Sequence, residues 1–247
     1  MLAVIGGSGF SRLTNLAVEQ RRRVRTPYGE PSSELTFGRI GRQAVVFLAR
    51  HGDAHTIPPH QINYRANIWA LAEFAPKGIV AVAAVGGIRA DLQPGDLVVP
   101  HQIIDYTSGR EATYHQLPDG VPRHVDFTEP YDQPLRQRLL DAAVAVGVAL
   151  GDGAVYAATQ GPRLETAAEI DRLQRDGADV VGMTGMPEAV LARELDVPYA
   201  AINIIANPAA GRGGSAQAIS MAAIEAVLAD AMQRVRAVIE RVVSSND

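Results

Sequence analysis

The 247-residue sequence contains no cysteine, which excludes disulfide bonds and thiolate metal sites. It also lacks any apolar stretch close to the roughly 20 residues that a membrane span needs, so we expect no membrane partner. The first residues, MLAVIGGSGF, carry no charge before the apolar segment, and that segment is too short for a signal peptide. These absences together predict a soluble cytoplasmic protein.

Nothing in the sequence divides the chain, because Pro/Ser-rich linkers, charge blocks and internal repeats are all missing. We therefore expect a single domain over residues 1–247. The 23 basic and 27 acidic side chains give a formal net charge of −4. The densest basic run, Arg21 to Arg25, is short and isolated, which predicts a solvated loop. We expect no nucleic-acid partner.

Short apolar runs alternate along the chain with segments of helical periodicity. The runs LAVIGG, GIVAVAAVGG, GDLVVPHQIID, ADVVGM and VPYAAINIIAN each predict one strand, and their uniform apolarity predicts burial on both faces. ETAAEIDRLQRDG, MPEAVLAREL and the tail from Ser215 to about Val243 predict helices. The pattern indicates an α/β fold with a central mixed, largely parallel twisted β-sheet flanked by helices. In such folds the ligand lies beyond the carboxyl ends of the strands.

Small and polar residues collect where these predicted strands end. The set comprises Gly6-Gly7-Ser8-Gly9, Arg50-His51-Gly52, Gly86-Gly87, Gln160-Gly161-Pro162, Met183-Thr184 and Asn207-Pro208. The GGSG segment offers backbone N–H groups and a hydroxyl to a phosphate, although a tight turn explains it equally well. Arg50 offers a planar fork to an oxyanion and His51 a second donor, with an exposed basic pair as the alternative.

Several other chemistries lack the residues they need. His51, His55 and His60 suggest a metal site only if a helix aligns them, and Gly52 and the prolines before His60 argue against a helix. No metal is therefore expected. No G-x-S-x-G elbow of a serine hydrolase is present, and the GGSG loop lacks the third glycine of the dinucleotide fingerprint.

Four longer motifs carry a family resemblance: IGGSG, LARHGDAHTIPPHQINYRANIWAL, GDLVVPHQIIDYT and GPRLETAAEIDRLQRDGADVVGMTGMPEAVLAREL. Together they resemble the trimeric purine nucleoside phosphorylases and, within them, the methylthioadenosine phosphorylases. The resemblance runs from about Leu2 to Leu228. It implies that phosphate displaces a purine from C1′ of a nucleoside, giving a pentose 1-phosphate and the free base. It also implies a homotrimer that uses inorganic phosphate as co-substrate and no cofactor.

The resemblance also implies roles for individual residues. Phosphate binding falls to four side chains: Ser8, Arg50, His51 and Thr184. The sugar and base would contact Met183, Ala84, Val85, Gly86 and Leu164, and the catalytic groups would be Asn207 and His51. Read without the resemblance, Met183 is ordinary core filler. One departure concerns Ala83, which stands where the family commonly has a threonine that binds phosphate, so one contact would be lost.

Two residues bear on which purine is recognised. The adenine-cleaving branch has a stretch resembling Thr-Asp-x-Asp, where this chain has Ala206-Asn207-Pro208-Ala209. An amide accepts a hydrogen bond from N7–H and donates one to a carbonyl at C6. Glu165, in a motif similar to one of the 6-oxopurine phosphorylases, accepts from N1–H. Taken alone, Asn207 is explained equally by a cap at the end of a strand, and Glu165 by a glutamate in the first turn of a helix. Because both residues suit the same class of base, together they favour a 6-oxopurine.

The far end of the nucleoside is addressed by other residues. The tail GGSAQAISMAAIEAVL has no histidine to meet a 5′-hydroxyl. Met221 and Ile224 align with apolar residues of a 5′-methylthio pocket, although the buried stripe of an amphipathic helix explains them as well. His124 matches a histidine that a neighbouring subunit contributes. The substrate expected first is therefore 5′-methylthioinosine.

Other functions remain open from the sequence. The nearest are phosphorolysis of methylthioadenosine and of inosine or guanosine. A hydrolase of the same fold and a non-catalytic nucleotide-binding module are the alternatives from other classes.

Overall fold

The predicted apolar strands lie in one sheet in the computed structural model, which describes residues 1–7, 10, 13–115, 123–216 and 219–245, except the side chain of Ala223. Eleven strands of these residues pair with one another: β1 (Leu2–Gly6), β2 (Ala17–Arg22), β3 (Leu35–Ile40), β4 (Gln43–Ala49), β5 (Ile79–Gly87), β6 (Leu97–Val99), β7 (Gln102–Asp105), β8 (Gly151–Asp152), β9 (Val155–Ala158), β10 (Val180–Gly182) and β11 (Tyr199–Pro208). Five α-helices of the same residues pack against the sheet: α1 (Tyr64–Ala72), α2 (Gln133–Ala145), α3 (Ala167–Arg175), α4 (Gly185–Glu194) and α5 (Met221–Ser244). The predicted α/β class is confirmed.

Strand β5 lies at the centre of the sheet and changes partners along its length. Its first residues pair in parallel with β1, which in turn pairs in parallel with β4. Its other edge pairs in parallel with β11 over nearly the whole strand. At its carboxyl end, Gly86 and Gly87 pair antiparallel with Val181 and Val180 of β10. The sheet is therefore mixed, and strands running in opposite directions meet at the end of β5.

The two faces of the sheet bury different helices. In β11, Ala200, Ile202 and Ile204 belong to a core shared with α2 and α5. Tyr199, Ala201 and Ile205, which alternate with them, belong to a second core shared with α1 and α4. Alternate residues of a strand point to opposite faces, so this strand is buried on both sides, as its continuous apolar run predicts.

Three sequence-based expectations about secondary structure are wrong. The tail helix was expected from Ser215, but it begins at Met221, and Ser215 ends a short 3-10 helix. GDLVVPHQIID forms β6 and β7 rather than one strand, because the chain breaks at Pro100, which has no N–H to donate to a ladder. The basic run was expected in a loop, but Arg21 and Arg22 belong to β2, an edge strand whose six residues are all exposed. A strand exposed on both faces shows no apolar alternation and so leaves no signal in the sequence.

None of the helices in the described ranges is both long enough and apolar enough to cross a membrane.

Candidate active site

A cavity of about 200 Å³ opens where β4, β5, β10 and β11 end. Most of the residues singled out from the sequence line it: Arg50, His51, Ala84, Val85, Gly86, Leu164, Glu165, Met183, Thr184, Asn207, Met221 and Ile224. Ser8 lies outside the described residues. His124 belongs to an exposed stretch of chain and is not a lining residue of this cavity.

The strand ends reach the cavity from two directions. Strands β4, β5 and β11 are parallel members of the sheet and end there, as the sequence predicts. Strand β10 runs antiparallel to β5, and the chain that follows it brings Met183 and Thr184 to the cavity. The site is therefore a junction inside a mixed sheet rather than one edge of a parallel sheet.

Arg50 is buried, with 1% of its surface exposed, and is held by a two-point ion pair. Its Nε donates to Oε1 of Glu188 at 2.7 Å and its Nη2 to Oε2 at 2.9 Å. Its Nη1 donates to the carbonyl of Val82 at 3.0 Å. A Cβ at Gly7 would lie 2.7 Å from that Nη1, so the glycine lets the guanidinium pass beneath the loop after β1. The alternative of an exposed basic pair is excluded.

Glu188 and Tyr199 complete this buried group, and sequence reasoning missed both. The Tyr199 hydroxyl donates to Oε2 of Glu188 at 2.7 Å, and Glu188 has no exposed surface. Burial alone would lower the pKa of Arg50, but the charge and hydrogen bonds of Glu188 outweigh it and raise that pKa. From sequence, Glu188 resembles any acidic residue in the first turn of a helix. Its contact with Arg50 spans 138 residues, and local patterns carry no signal for it.

His51 is neutral and in a defined tautomer. Its Nδ1 lies 2.8 Å from the carbonyl oxygen of Ile57, which only accepts, so Nδ1 carries the hydrogen. Burial lowers the pKa of His51 to about 4, and the positive charge of Arg50 adds to the effect against the opposing hydrogen bond to Ile57. The remaining nitrogen, Nε2, is then an acceptor. The sequence predicts that His51 donates a hydrogen bond to an oxyanion, but Nε2 can donate only when the His51 ring is protonated.

The hydroxyl of Thr184 stands at the start of α4. Thr184 is the N-cap residue of this helix, but its side chain makes no capping hydrogen bond. Its backbone N–H donates instead to the hydroxyl of Tyr156 at 3.2 Å, as does that of Gly185 at 3.3 Å. Thr184 is thus anchored through Tyr156, which also forms a hydrogen bond with the Thr184 side chain, and the residue lines the cavity.

Glu165 forms part of the wall between this cavity and a second one of about 580 Å³. Its Oε1 accepts a 2.6 Å hydrogen bond from the Thr159 hydroxyl. The chain immediately after it is fixed by a capping box, in which Thr166 and Glu169 exchange hydrogen bonds of 3.1 and 2.8 Å. Glu165 precedes α3, whose N-cap residue is Thr166, so the Glu165 carboxylate does not cap the N-terminus of this helix.

Asn207 follows a bulge in β11. The register with β5 shifts between Ile205 and Asn207, so that Asn207 pairs with Gly86. Such bulges redirect a side chain beside a functional site. Its Nδ2 donates to the carbonyl of Pro208 at 2.6 Å. Because that carbonyl only accepts, the amide oxygen points away from it.

Comparison of the chain with known protein families identifies its family. The model of the phosphorylase superfamily matches residues 1–244, nearly the whole chain. The chain belongs to the phosphorylase superfamily. The family resemblance identified from the sequence motifs is confirmed.

Named relatives of this phosphorylase share about half of its residues. It is 51% identical to a probable S-methyl-5′-thioinosine phosphorylase of Pseudomonas syringae pv. tomato, over 99% of this chain and 98% of the relative. It is 46% identical to the 6-oxopurine nucleoside phosphorylase of Pyrococcus furiosus, over 86% of this chain and 81% of the relative. Among solved structures, a methylthioadenosine phosphorylase from Schistosoma mansoni in complex with adenine superposes with a TM-score of 0.92. It is 32% identical, and the match covers 98% of this chain and 90% of that one.

The apolar side of the phosphorylase cavity is partly open. Leu164 is 45% exposed and Met221 is 61% exposed, whereas Ile224 is half-buried and packs against the core that holds α5. Met183 packs over Gly161, where a Cβ would lie 2.5 Å from its sulfur. The interpretation of Met221 as part of a buried helical stripe is wrong, since most of its surface is exposed. Ile224 fits both interpretations, the pocket wall and the buried helical stripe, because it lines the cavity and packs against the core.

Within the part of the chain that the structure describes, no group of three His, Cys, Asp or Glu side chains is placed to hold a metal ion. The His51 and His55 rings lie 4.7 Å apart, tilted by 52°.

Proposed function

We propose that this protein cleaves S-methyl-5′-thioinosine with inorganic phosphate, giving hypoxanthine and 5-methylthioribose 1-phosphate. The observation that carries the proposal is the presence of Glu165 and Asn207 in one cavity with Arg50 and His51. The 51% identical relative with the same activity in its name supports it. No cofactor is needed in this reaction beyond the phosphate co-substrate.

The phosphate would lie at the Arg50 end of the cavity, with the side chains of Thr184 and Ser8 as further ligands. Two N–H groups of the Arg50 guanidinium remain after its three hydrogen bonds to Glu188 and Val82. His51 then acts differently from the expectation based on sequence, because its Nε2 accepts a hydrogen from a protonated phosphate oxygen. That contact holds phosphate in one orientation beneath C1′.

The purine would lie between Glu165 and Asn207. When the C1′–N9 bond breaks, its electron pair stays on the base, and the phosphate oxygen forms the new bond to C1′. The Asn207 amide donates to O6 and accepts from N7–H, and Glu165 accepts from N1–H. The proton that monohydrogen phosphate gives up balances the one that the purine gains. Fixed donors and positioning supply most of the barrier reduction in such a site.

Adenine fits this end of the cavity less well. It has a lone pair at N1, which would face the Glu165 carboxylate, and an amino group in place of O6. Each buried group left without its partner costs about 1–3 kcal/mol. The methylthio group would lie against Met221 and Ile224, with Met183 and Leu164 against the sugar and base and the segment Ala84–Gly86 beside them.

We also propose that the protein is a cytoplasmic homotrimer. An assembly is supported by His124, which is exposed and is not a lining residue of the cavity of its own chain. A neighbouring subunit is the means by which His124 would reach a 5′-methylthio group.

The test compares base release from methylthioinosine, methylthioadenosine and inosine, each with and without phosphate. We expect phosphate-dependent release, fastest for methylthioinosine. Faster release of adenine, or equal turnover of inosine, would instead establish one of the neighbouring phosphorylase specificities. The 46% identical 6-oxopurine phosphorylase makes inosine the stronger of these two alternatives. Release without phosphate would show a hydrolase.

A further inference from the structure

Arg110 lies outside the cavity and binds the backbone that builds it. Its Nη1 donates to the carbonyls of Met183 at 2.7 Å and Met186 at 2.6 Å. Its Nη2 donates to the carbonyls of Gln160 at 2.8 Å and Thr159 at 3.2 Å. One guanidinium therefore joins four backbone carbonyls that belong to two separate segments of the chain.

The remaining contacts of Arg110 extend to a third segment. Its Nε donates to Oε1 of Gln160 at 3.2 Å, and its Nη1 reaches the Tyr64 hydroxyl at 3.2 Å. The guanidinium also lies over the Tyr64 ring, 5.3 Å from its centre. The Tyr64 hydroxyl in turn donates to the carbonyl of Pro59 at 3.0 Å, and Pro59 lines the cavity. In the described ranges no carboxylate lies within ion-pair distance of Arg110, so carbonyl dipoles and an aromatic face stabilise its charge.

The segments joined by Arg110 carry the two ends of the cavity. Thr159, whose hydroxyl binds Glu165, and Gln160 lead into the chain that holds that carboxylate. Met183 precedes Thr184, and Met186 lies two residues before Glu188, the partner of Arg50. The β9/β10 ladder joins the two segments as far as Gly182, whose carbonyl accepts a 2.8 Å hydrogen bond from the Thr159 N–H. Arg110, which does not line the cavity, continues this connection beyond the last ladder pair.

We infer that Arg110 is a positioning residue for phosphorolysis, which holds Glu165 in register with Met183 and Thr184 so that base and phosphate are aligned at C1′. The choice of base in this inference rests on the proposed function, whereas the carbonyl contacts do not. A planar guanidinium with five N–H groups can span carbonyls on both segments. A lysine ammonium has three donors at a single point and cannot hold both segments in the same way.

The test is Arg110→Lys in the full-length enzyme, with steady-state kinetics for methylthioinosine, methylthioadenosine and phosphate. We expect kcat/KM for methylthioinosine to fall by about 10- to 100-fold, the size of effect that a displacement of about 1 Å produces. We expect the preference for hypoxanthine over adenine to shrink in the same variant. The phosphate KM should change by less than about threefold, because Arg50 keeps its own partner.

A matched control is Arg136→Lys. Arg136 is buried and, like Arg110, donates to backbone carbonyls, those of Pro100 and Val99, and it also pairs with Asp152. Unlike Met183, a partner of Arg110, none of these three residues lines the cavity. We expect a lower melting temperature for this variant with unchanged base preference. If Arg110→Lys behaves in the same way, losing thermal stability but keeping nucleoside KM and base preference, the inference is overturned and Arg110 is structural only.

A second variant serves if Arg110→Lys does not fold. Tyr64→Phe keeps the ring beneath the guanidinium and removes one oxygen that Arg110 binds. We expect a smaller loss of kcat/KM and a smaller shift of base preference in the same direction, and wild-type values for both would refute the inference. If the wild-type enzyme prefers adenine, the proposed function is refuted but the inference about Arg110 is not. The Arg110 variants would then be tested for a reduced preference for adenine.

Discussion

The two ends of the cavity are built in different ways. At the end proposed to bind phosphate, the side chains of Arg50 and Glu188 are 1% and 0% exposed and are joined by two hydrogen bonds, with Tyr199 adding a third to the same carboxylate. At the end proposed to bind the purine, Glu165 and Asn207 are half-buried, and the contacts described for their side chains are one hydrogen bond each, to Thr159 and to the Pro208 carbonyl.

This difference separates what the enzyme must keep from what it can change. Removing one partner of a buried ion pair lowers the stability of a protein by several kcal/mol, so we expect Arg50 and Glu188 to tolerate substitution poorly. A half-buried side chain with one local hydrogen bond exchanges that bond for a ligand at small cost. We therefore expect substitutions of Glu165 and Asn207 to cost little stability and substitutions of Arg50 and Glu188 to cost much.

The largest expected effect comes from breaking the buried ion pair. Glu188→Gln leaves the Arg50 charge without its counterion and should lower the free energy of unfolding by about 3–5 kcal/mol. The phosphate KM should rise with it. Urea denaturation measures the first quantity and initial rates the second.

Glu169→Gln is the matched control for this variant, because Arg163 and Glu169 form the same two-point pair at the surface. Glutamine also preserves the capping box. Its cost should stay below about 1 kcal/mol, as for exposed pairs in general. Equal costs for the two variants would remove the contrast between buried and exposed pairs.

The next effect concerns base choice. Asn207→Asp combined with Glu165→Gln should shift the ratio of hypoxanthine to adenine release toward adenine by about 2–4 kcal/mol, a change of about 30- to 1000-fold. Competition between methylthioinosine and methylthioadenosine measures the ratio. Thermal stability should change little, since both side chains are half-buried. Hypoxanthine selectivity that survives the double substitution would show that other residues read the base.

A smaller effect is expected from acidification. The pKa of His51 is about 4 in the folded protein, below the usual value near 6.5, so the unfolded chain binds a proton that the folded one does not. The stabilisation is therefore present above about pH 6.5 and is lost as pH falls toward 4. Between pH 7 and pH 5 we expect a loss of about 1–2 kcal/mol from this group. Urea denaturation at the two pH values measures it.

His51→Asn should remove this part of the pH dependence. Added phosphate should also reduce it in the wild-type protein, because an anion next to the ring favours the protonated form. A wild-type pH slope that the substitution does not alter would mean that other groups carry the whole effect.

The smallest effect belongs to the exposed apolar wall. Met221→Ala should raise the KM for methylthioinosine by about threefold, the loss of part of one apolar contact, and leave the KM for inosine nearly unchanged. Stability should change by less than about 0.5 kcal/mol because the side chain is mostly exposed. Equal changes for both nucleosides would place the 5′ group elsewhere.

Local patterns in the sequence predict much of the fold and several strand ends that line the cavity, whereas most of the other lining residues were expected from the family resemblance. Continuous apolar runs predict β5 and β11, because a strand covered on both faces must be apolar throughout. Arg50 and Asn207 attract notice because each ends such a run. These inferences succeed because they depend only on neighbours along the chain.

The residues that sequence reasoning missed act across long separations. Glu188 meets Arg50 over 138 positions, and Arg110 meets Met183 over 73. Both look like ordinary charged residues in their local context. The prediction of a single strand through Pro100 was wrong for a local reason, the missing N–H of proline. The antiparallel pairing of β10 with β5, by contrast, depends on the topology of the whole sheet.

The amino-acid sequence by itself determined the fold class, the family and most of the residue types that line the cavity, since apolar periodicity and long motifs can be recognised along the chain. Only the tertiary structure decided how those groups are held: the buried counterion of Arg50, the tautomer of His51 and the carbonyls that Arg110 collects. The physical reason is that burial and hydrogen-bond partners depend on which distant segments fold against each other, and these set the charge and orientation of every group in the cavity.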